Sequence, residues 1–142
     1  MMQHLNVIVV LMIAGLLTAC ANRQPPPSVA IAPATGRPIF TQVGMASWYG
    51  KNHDGKTTAN GETFDMDALT AAHRTLPFGT VVRVTNLATK RTIKVRINDR
   101  GPYAEGRIID LSARAARDLG IADHGVARVR IEQFASDQTA GS

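Results

Sequence analysis

A chain of 142 residues, 44% apolar and 19% charged, can build one modest domain and leaves no room for a second of comparable size. All 16 basic and 11 acidic side chains follow Cys20, so the formal charge of +5 belongs to residues 21–142 and favours an anionic neighbourhood such as a cell wall or lipid head groups. Lys/Arg runs of the kind that grip nucleic acid are absent, and a single cysteine excludes a disulfide framework.

Residues 1–20 read as an export signal. The uncharged run from Val7 to Leu17 is short for a bilayer span but suits the apolar region of a secretory leader, although Met1 to Asn6 lacks the usual Lys or Arg. Leu17-Thr18-Ala19-Cys20 resembles the bacterial lipoprotein box, which makes Cys20 the expected lipid (palmitate) anchor after cleavage. Residues 21–42 hold five prolines, with Pro25-Pro26-Pro27 in a row and no apolar periodicity, and read as an extended tether.

From Val43 the texture changes, and residues 43–135 read as the folded domain. Gly44 to Tyr49 is an expected strand. Period-two alternation marks three more, at Thr80 to Thr85, Ile93 to Ile97 and Ala127 to Ile131. Asp65 to Leu69 is expected to form a short turn of helix, and Leu76-Pro77-Phe78-Gly79 a tight turn. One longer helix is expected over "ARAARDL", with Ser112 as its cap and Gly120 as its terminator. Residues 136–142 read as a disordered tail. Several strands at short intervals, one helix and many Gly/Asn/Asp/Pro turns indicate a mainly β fold closed into a small barrel.

Candidate chemistry concentrates in Asn98-Asp99-Arg100-Gly101-Pro102-Tyr103, where a carboxylate leaves an alternating strand just before a forced turn. Breaking a glycosidic bond needs a proton donor for the leaving oxygen, and a carboxyl held on a sheet edge suits that task. An inward Arg100 would oppose protonation of such a carboxyl. Spacing alone leaves Asp99 equally readable as an Asx-type turn residue. Glu62 and Asp65 follow Asn60-Gly61, which by itself is ordinary turn composition. His73 after Thr70-Ala71-Ala72 suits a core or rim histidine as well as a proton shuttle. Trp48-Tyr49 could stack against sugar rings or pack into the core. His53, His73 and His124 show no ligand-like pairing, so neither metal nor cofactor is expected.

Taken together, "ASWYG", "TANGETFD", "LTAAHRTLPFGT", "VRVTNL", "VRINDRGPY" and "RIIDLSARAA" resemble the rare lipoprotein A (RlpA) family. That resemblance implies a six-stranded double-psi β-barrel and a septal-ring lytic transglycosylase. Its substrate would be peptidoglycan glycan strands, preferably stripped of stem peptides, cut between N-acetylmuramic acid and N-acetylglucosamine with a 1,6-anhydro end. Carried over motif by motif, Asp99 is the leading acid/base, with Glu62, Asp65 and His73 as supporting catalytic groups. Trp48, Tyr49, Asn60 and Arg100 are the expected substrate-binding residues.

The resemblance further implies a monomer without nucleic-acid partners, lipid-anchored in the cell envelope and facing the periplasm. Ala21 after Cys20 favours the outer over the inner membrane. Two departures stand out: His53-Asp54-Gly55-Lys56 where relatives more often show Phe-His-Gly-Arg, and no Asn-Gly pair in the hairpin from Leu87 to Arg91. No glycan-binding SPOR module is expected from residues 136–142. A noncatalytic, expansin-like wall-binding module is the alternative function.

Overall fold

Six strands close on themselves in the computed structural model, which describes residues 31–138. They are β1 (Phe40–Trp48), β2 (Thr70–Ala72), β3 (Val81–Asn86), β4 (Thr92–Asp99), β5 (Arg107–Leu111) and β6 (Ala127–Gln133), with helices α1 (Ala113–Leu119) and α2 (Ala135–Gln138). Around the barrel the order is β1-β5-β2-β4-β3-β6. Strand pairs β1/β5 and β2/β4 are parallel, and the other four are antiparallel.

Alternation places the core. Ile93, Val95 and Ile97 of β4 point inward, as do Val129 and Ile131 of β6, and they meet Val82, Val84, Ile109 and Leu111. α1 plugs one side with Ala115, Ala116 and Leu119. Ser112 caps it, its hydroxyl accepting from the Ala115 amide at 3.1 Å, and Gly120 ends it in the left-handed conformation at φ 78°. Gly44 is required for a different reason: a Cβ there would stand 2.6 Å from Cγ2 of Ile108, which bulges towards β1.

Three sequence expectations change. Residues 40–42, assigned to the tether, open β1, and further back the carbonyl of Ala32 accepts from Nη1 of Arg83 at 2.6 Å. Residues 136–138, assigned to a disordered tail, belong to α2, where Asp137 is buried against Arg83 (2.6 Å) and Lys94 (2.7 Å). A buried guanidinium on β3 needs a counter-charge, and that need orders the segment. Asp65 to Leu69 is a turn rather than a helix, because the Asp65 side chain bonds the Asp67 amide (2.8 Å) and competes with helical pairing. The signal at 1–20, Cys20 and the tether before residue 31 lie outside the described residues.

Candidate active site

Asp99 owes its position to a bulge. Ala71 pairs with Ile97 but Ala72 pairs with Asp99, which leaves Asn98 as an extra residue on β4. Plain alternation would send the Asp99 carboxylate towards the core with Ile97; the bulge shifts the phase and turns it to the barrel rim. Three donors hold it there. The Tyr49 hydroxyl donates to Oδ2 at 3.0 Å, while the backbone amides of Ala59 and Arg100 donate to Oδ1 at 2.9 and 2.8 Å.

Tyr49 follows the end of β1, anchored by its amide bonding the Leu111 carbonyl at 2.9 Å. Its ring lies edge-on to Phe64, centroids 5.2 Å apart, and tilted against His53 at 5.0 Å. Burial first, then the negative charge of Asp99 and the hydrogen bond to it, push the phenol above its ordinary range. Tyr49 therefore keeps its proton at neutral pH and is a fixed hydrogen-bond donor to Asp99. Tyr49, His53, Lys56, Thr57, Thr58, Phe64 and Asp99 line a shallow cleft of about 100 Å³. Enclosed ligand pockets run to roughly 300–1,000 Å³, so a ligand here must lie across an open groove.

Glu62 is not among the residues that line this cleft. Its two oxygens take Nη1 and Nη2 of Arg96 at 2.8 Å each, and Nδ2 of Asn98 approaches at 3.4 Å. The Arg96 fork, followed by the Asn60 side chain, holds the Glu62 carboxyl at a pKa of about 2. Glu62 is thus a permanent anion that ties the loop carrying Ala59 to β4. Asn60 serves the same loop: its Oδ1 accepts from the Thr58 hydroxyl (2.5 Å) and the Glu62 amide (3.1 Å).

The four carried-over catalytic candidates do not meet in one cleft. Asp65 is exposed, and its carboxylate closes an Asx turn on its own backbone. His73 touches Asp99 only through the backbone, its amide donating to the Asp99 carbonyl at 3.1 Å. The buried imidazole turns away: Nδ1 accepts from the amides of Thr75 and Leu76, both at 3.1 Å, leaving Nε2–H for Oε1 of Gln42 at 3.0 Å. Burial, then Arg100 and Arg74, lower its pKa and keep it neutral.

Nη1 of Arg100 donates to the carbonyls of His73 (3.2 Å) and Leu76 (2.9 Å) and the guanidinium stacks on Phe78, while from Arg100 the Asp99 carboxylate takes only the backbone amide. Trp48 packs against the core, leaving the cleft to Tyr49. Sequence reasoning cast Tyr49 as a stacking surface and missed its hydroxyl on Asp99; fifty residues separate the pair, and only the barrel closure joins them. It also missed the Ala59 amide, which as a backbone group leaves no mark in the sequence.

The sequence profile of the lytic transglycolase family matches residues 41–131. The chain belongs to that family. The resemblance to RlpA holds: the chain is 61% identical over 89 residues to the probable endolytic peptidoglycan transglycosylase RlpA of Synechocystis sp., a match covering 63% of this chain and 28% of that protein. It is 52% identical over 101 residues to the endolytic peptidoglycan transglycosylase RlpA of Neisseria meningitidis serogroup A, covering 71% and 42%. The chain therefore spans well under two thirds of either relative. Among solved structures, the apo expansin of Clavibacter michiganensis superposes with a TM-score of 0.54 at 25% identity, over 67% of this chain and 50% of that one. The fold is the double-psi β-barrel.

Proposed function

We propose that this chain is an endolytic lytic transglycosylase acting on peptidoglycan, cutting between N-acetylmuramic acid and N-acetylglucosamine to leave a 1,6-anhydro end, with Asp99 as the acid/base. The observation that carries it is the bulge-set carboxylate of Asp99 at the mouth of an open cleft, in a barrel that matches the lytic transglycolase family through residues 41–131. The names of the relatives favour this lyase over a noncatalytic wall-binding module.

The chemistry fits the geometry. Asp99 in its protonated form gives a proton to the glycosidic oxygen as the bond from that oxygen to muramyl C1 breaks. The muramyl 6-hydroxyl oxygen then closes on C1 and returns its proton to Asp99, so no water enters and the group is restored. Tyr49 on Oδ2 and the Ala59 and Arg100 amides on Oδ1 fix the carboxyl through both steps. The ionised Glu62 keeps the Ala59 loop in place and is unsuited to donate the proton itself. An open cleft suits entry from the middle of a strand.

On this reading the partner is bare glycan, and the chain acts as a monomer in the envelope, held by a lipid on Cys20 at the periplasmic face, of the outer membrane rather than the inner. The lipoprotein box and the position of Ala21 support that placement. The activity is tested by digesting amidase-treated sacculi and weighing the fragments. Anhydro-ended fragments support the proposal; reducing ends alone make the chain a hydrolase, and uncut glycan leaves only a binder.

A further inference from the structure

A second cleft, of about 170 Å³, opens between the start of β1, the residues after β2 and the start of β5, and two of its lining residues, His73 and Arg74, bond the Asp99 and Pro102 carbonyls. Phe40 and Ile108 form its apolar wall, and Gln42, His73, Arg74 and Arg107 supply its polar groups. No carboxylate lines it. Nε and Nη2 of Arg74 are used by the carbonyls of Pro102 and, at 2.8 Å, Ala104. Nη2 of Arg107 is used by Asp110 at 2.5 Å. Among the described residues, Nη1 of neither guanidinium is in a hydrogen bond, and Nε of Arg107 is buried without a partner. The imidazole adds no charge, since its Nδ1 is filled by two amides and its Nε2–H faces Gln42.

We propose that this cleft is a carboxylate subsite for the lactyl group of a muramyl residue next to the cleaved linkage, with Arg74 and Arg107 as the residues that select it. Two guanidinium ends beside an apolar wall match a small acid that carries a methyl group, and the lactyl ether is the one such acid on a bare glycan strand. A stem peptide converts this carboxylate to an amide, removing the charge the arginines read and adding bulk at the wall. The subsite would therefore make the enzyme choose stripped strands. The inference rests on the proposed peptidoglycan substrate and deepens it.

Its test modifies the ligand first. A tetrasaccharide of alternating N-acetylglucosamine and N-acetylmuramic acid is titrated into the folded protein as the free acid, as the lactyl N-methylamide and with stem peptides attached, following the Arg Nε–H resonances. The free acid is expected to shift Arg74 and Arg107 and to bind about tenfold more tightly than the methylamide, in line with the loss of a charge-assisted hydrogen bond. Arg107→Gln is expected to abolish that preference and Arg107→Lys to retain part of it. Equal affinity for acid and amide overturns the inference, as does tighter binding of the stem-bearing form, which would assign the cleft to peptide carboxylates. Preference for the acid without any cleavage of longer strands would sustain the subsite while removing the proposed activity.

Discussion

The Tyr49 hydroxyl donates to Oδ2 of Asp99 across 3.0 Å, joining the end of β1 to the end of β4. That bond orients the acid without replacing it. Tyr49→Phe is expected to lower turnover of bare glycan about tenfold and the thermal midpoint by several degrees, the loss of one hydrogen bond to a charged group. Asp99→Asn is expected to lower it roughly 10²–10⁴-fold, the range for a positioned acid/base. Initial rates by chromatography of soluble fragments separate the two; equal losses would give Tyr49 a direct part in proton transfer.

Glu62 is expected to leave no mark on the pH profile between about pH 4 and 8. Its carboxyl, held down to about 2 by Arg96, keeps its charge throughout that range, and the ion pair is lost only as pH falls through about 2. Glu62→Gln is expected to slow turnover by loosening the Ala59 loop while keeping the shape of the profile. An acidic limb that moves in this variant would show that Glu62 itself titrates during catalysis.

His73 is expected to stay the neutral Nε2–H tautomer at pH 7, which the nitrogen shifts of its ring report directly. Its lowered pKa means that the stability it contributes is complete above the ordinary value of 6.5 and is lost as pH falls through the folded value. A charged ring at pH 7 would contradict the two amide bonds on Nδ1.

Asp137, buried between Arg83 and Lys94, is a structural counter-ion. Asp137→Asn is expected to cost about 3–5 kcal/mol in urea unfolding, because it leaves a buried guanidinium unpaired. With its pKa lowered to about 2, chiefly by Arg83, the bridge stabilises fully above the ordinary aspartate value of 3.8 and fails as pH drops towards 2. A cost below about 1 kcal/mol would mark the pair as no better than a surface bridge.

Much of the barrel was legible in the chain. Alternation marked β4 and β6, because one buried face imposes a period that composition reveals, and Ser112 with Gly120 bracketed α1; β3 showed through the alternating Val82, Arg83, Val84 and Thr85, although both of its faces are buried. β2 and β5 did not show: Thr70–Ala72 is buried on both faces and only three residues long, and Arg107–Leu111 carries two adjacent isoleucines that break the alternation. In the site, the turn after Asp99 was readable, but the direction of its carboxylate was not. That direction depends on the Asn98 bulge, set by the register of β2 against β4. The same holds for His73, whose motif named the residue while the packing of Gln42, Thr75 and Leu76 chose which way the ring points.

The proposed reaction is tested most directly by digesting bare glycan strands in water enriched in oxygen-18 and weighing the new ends. Closure by the 6-hydroxyl predicts anhydro ends that carry no heavy oxygen, formed by the native chain and lost with Asp99→Asn. Labelled reducing ends, or unlabelled anhydro ends that persist at full rate in Asp99→Asn, would contradict it.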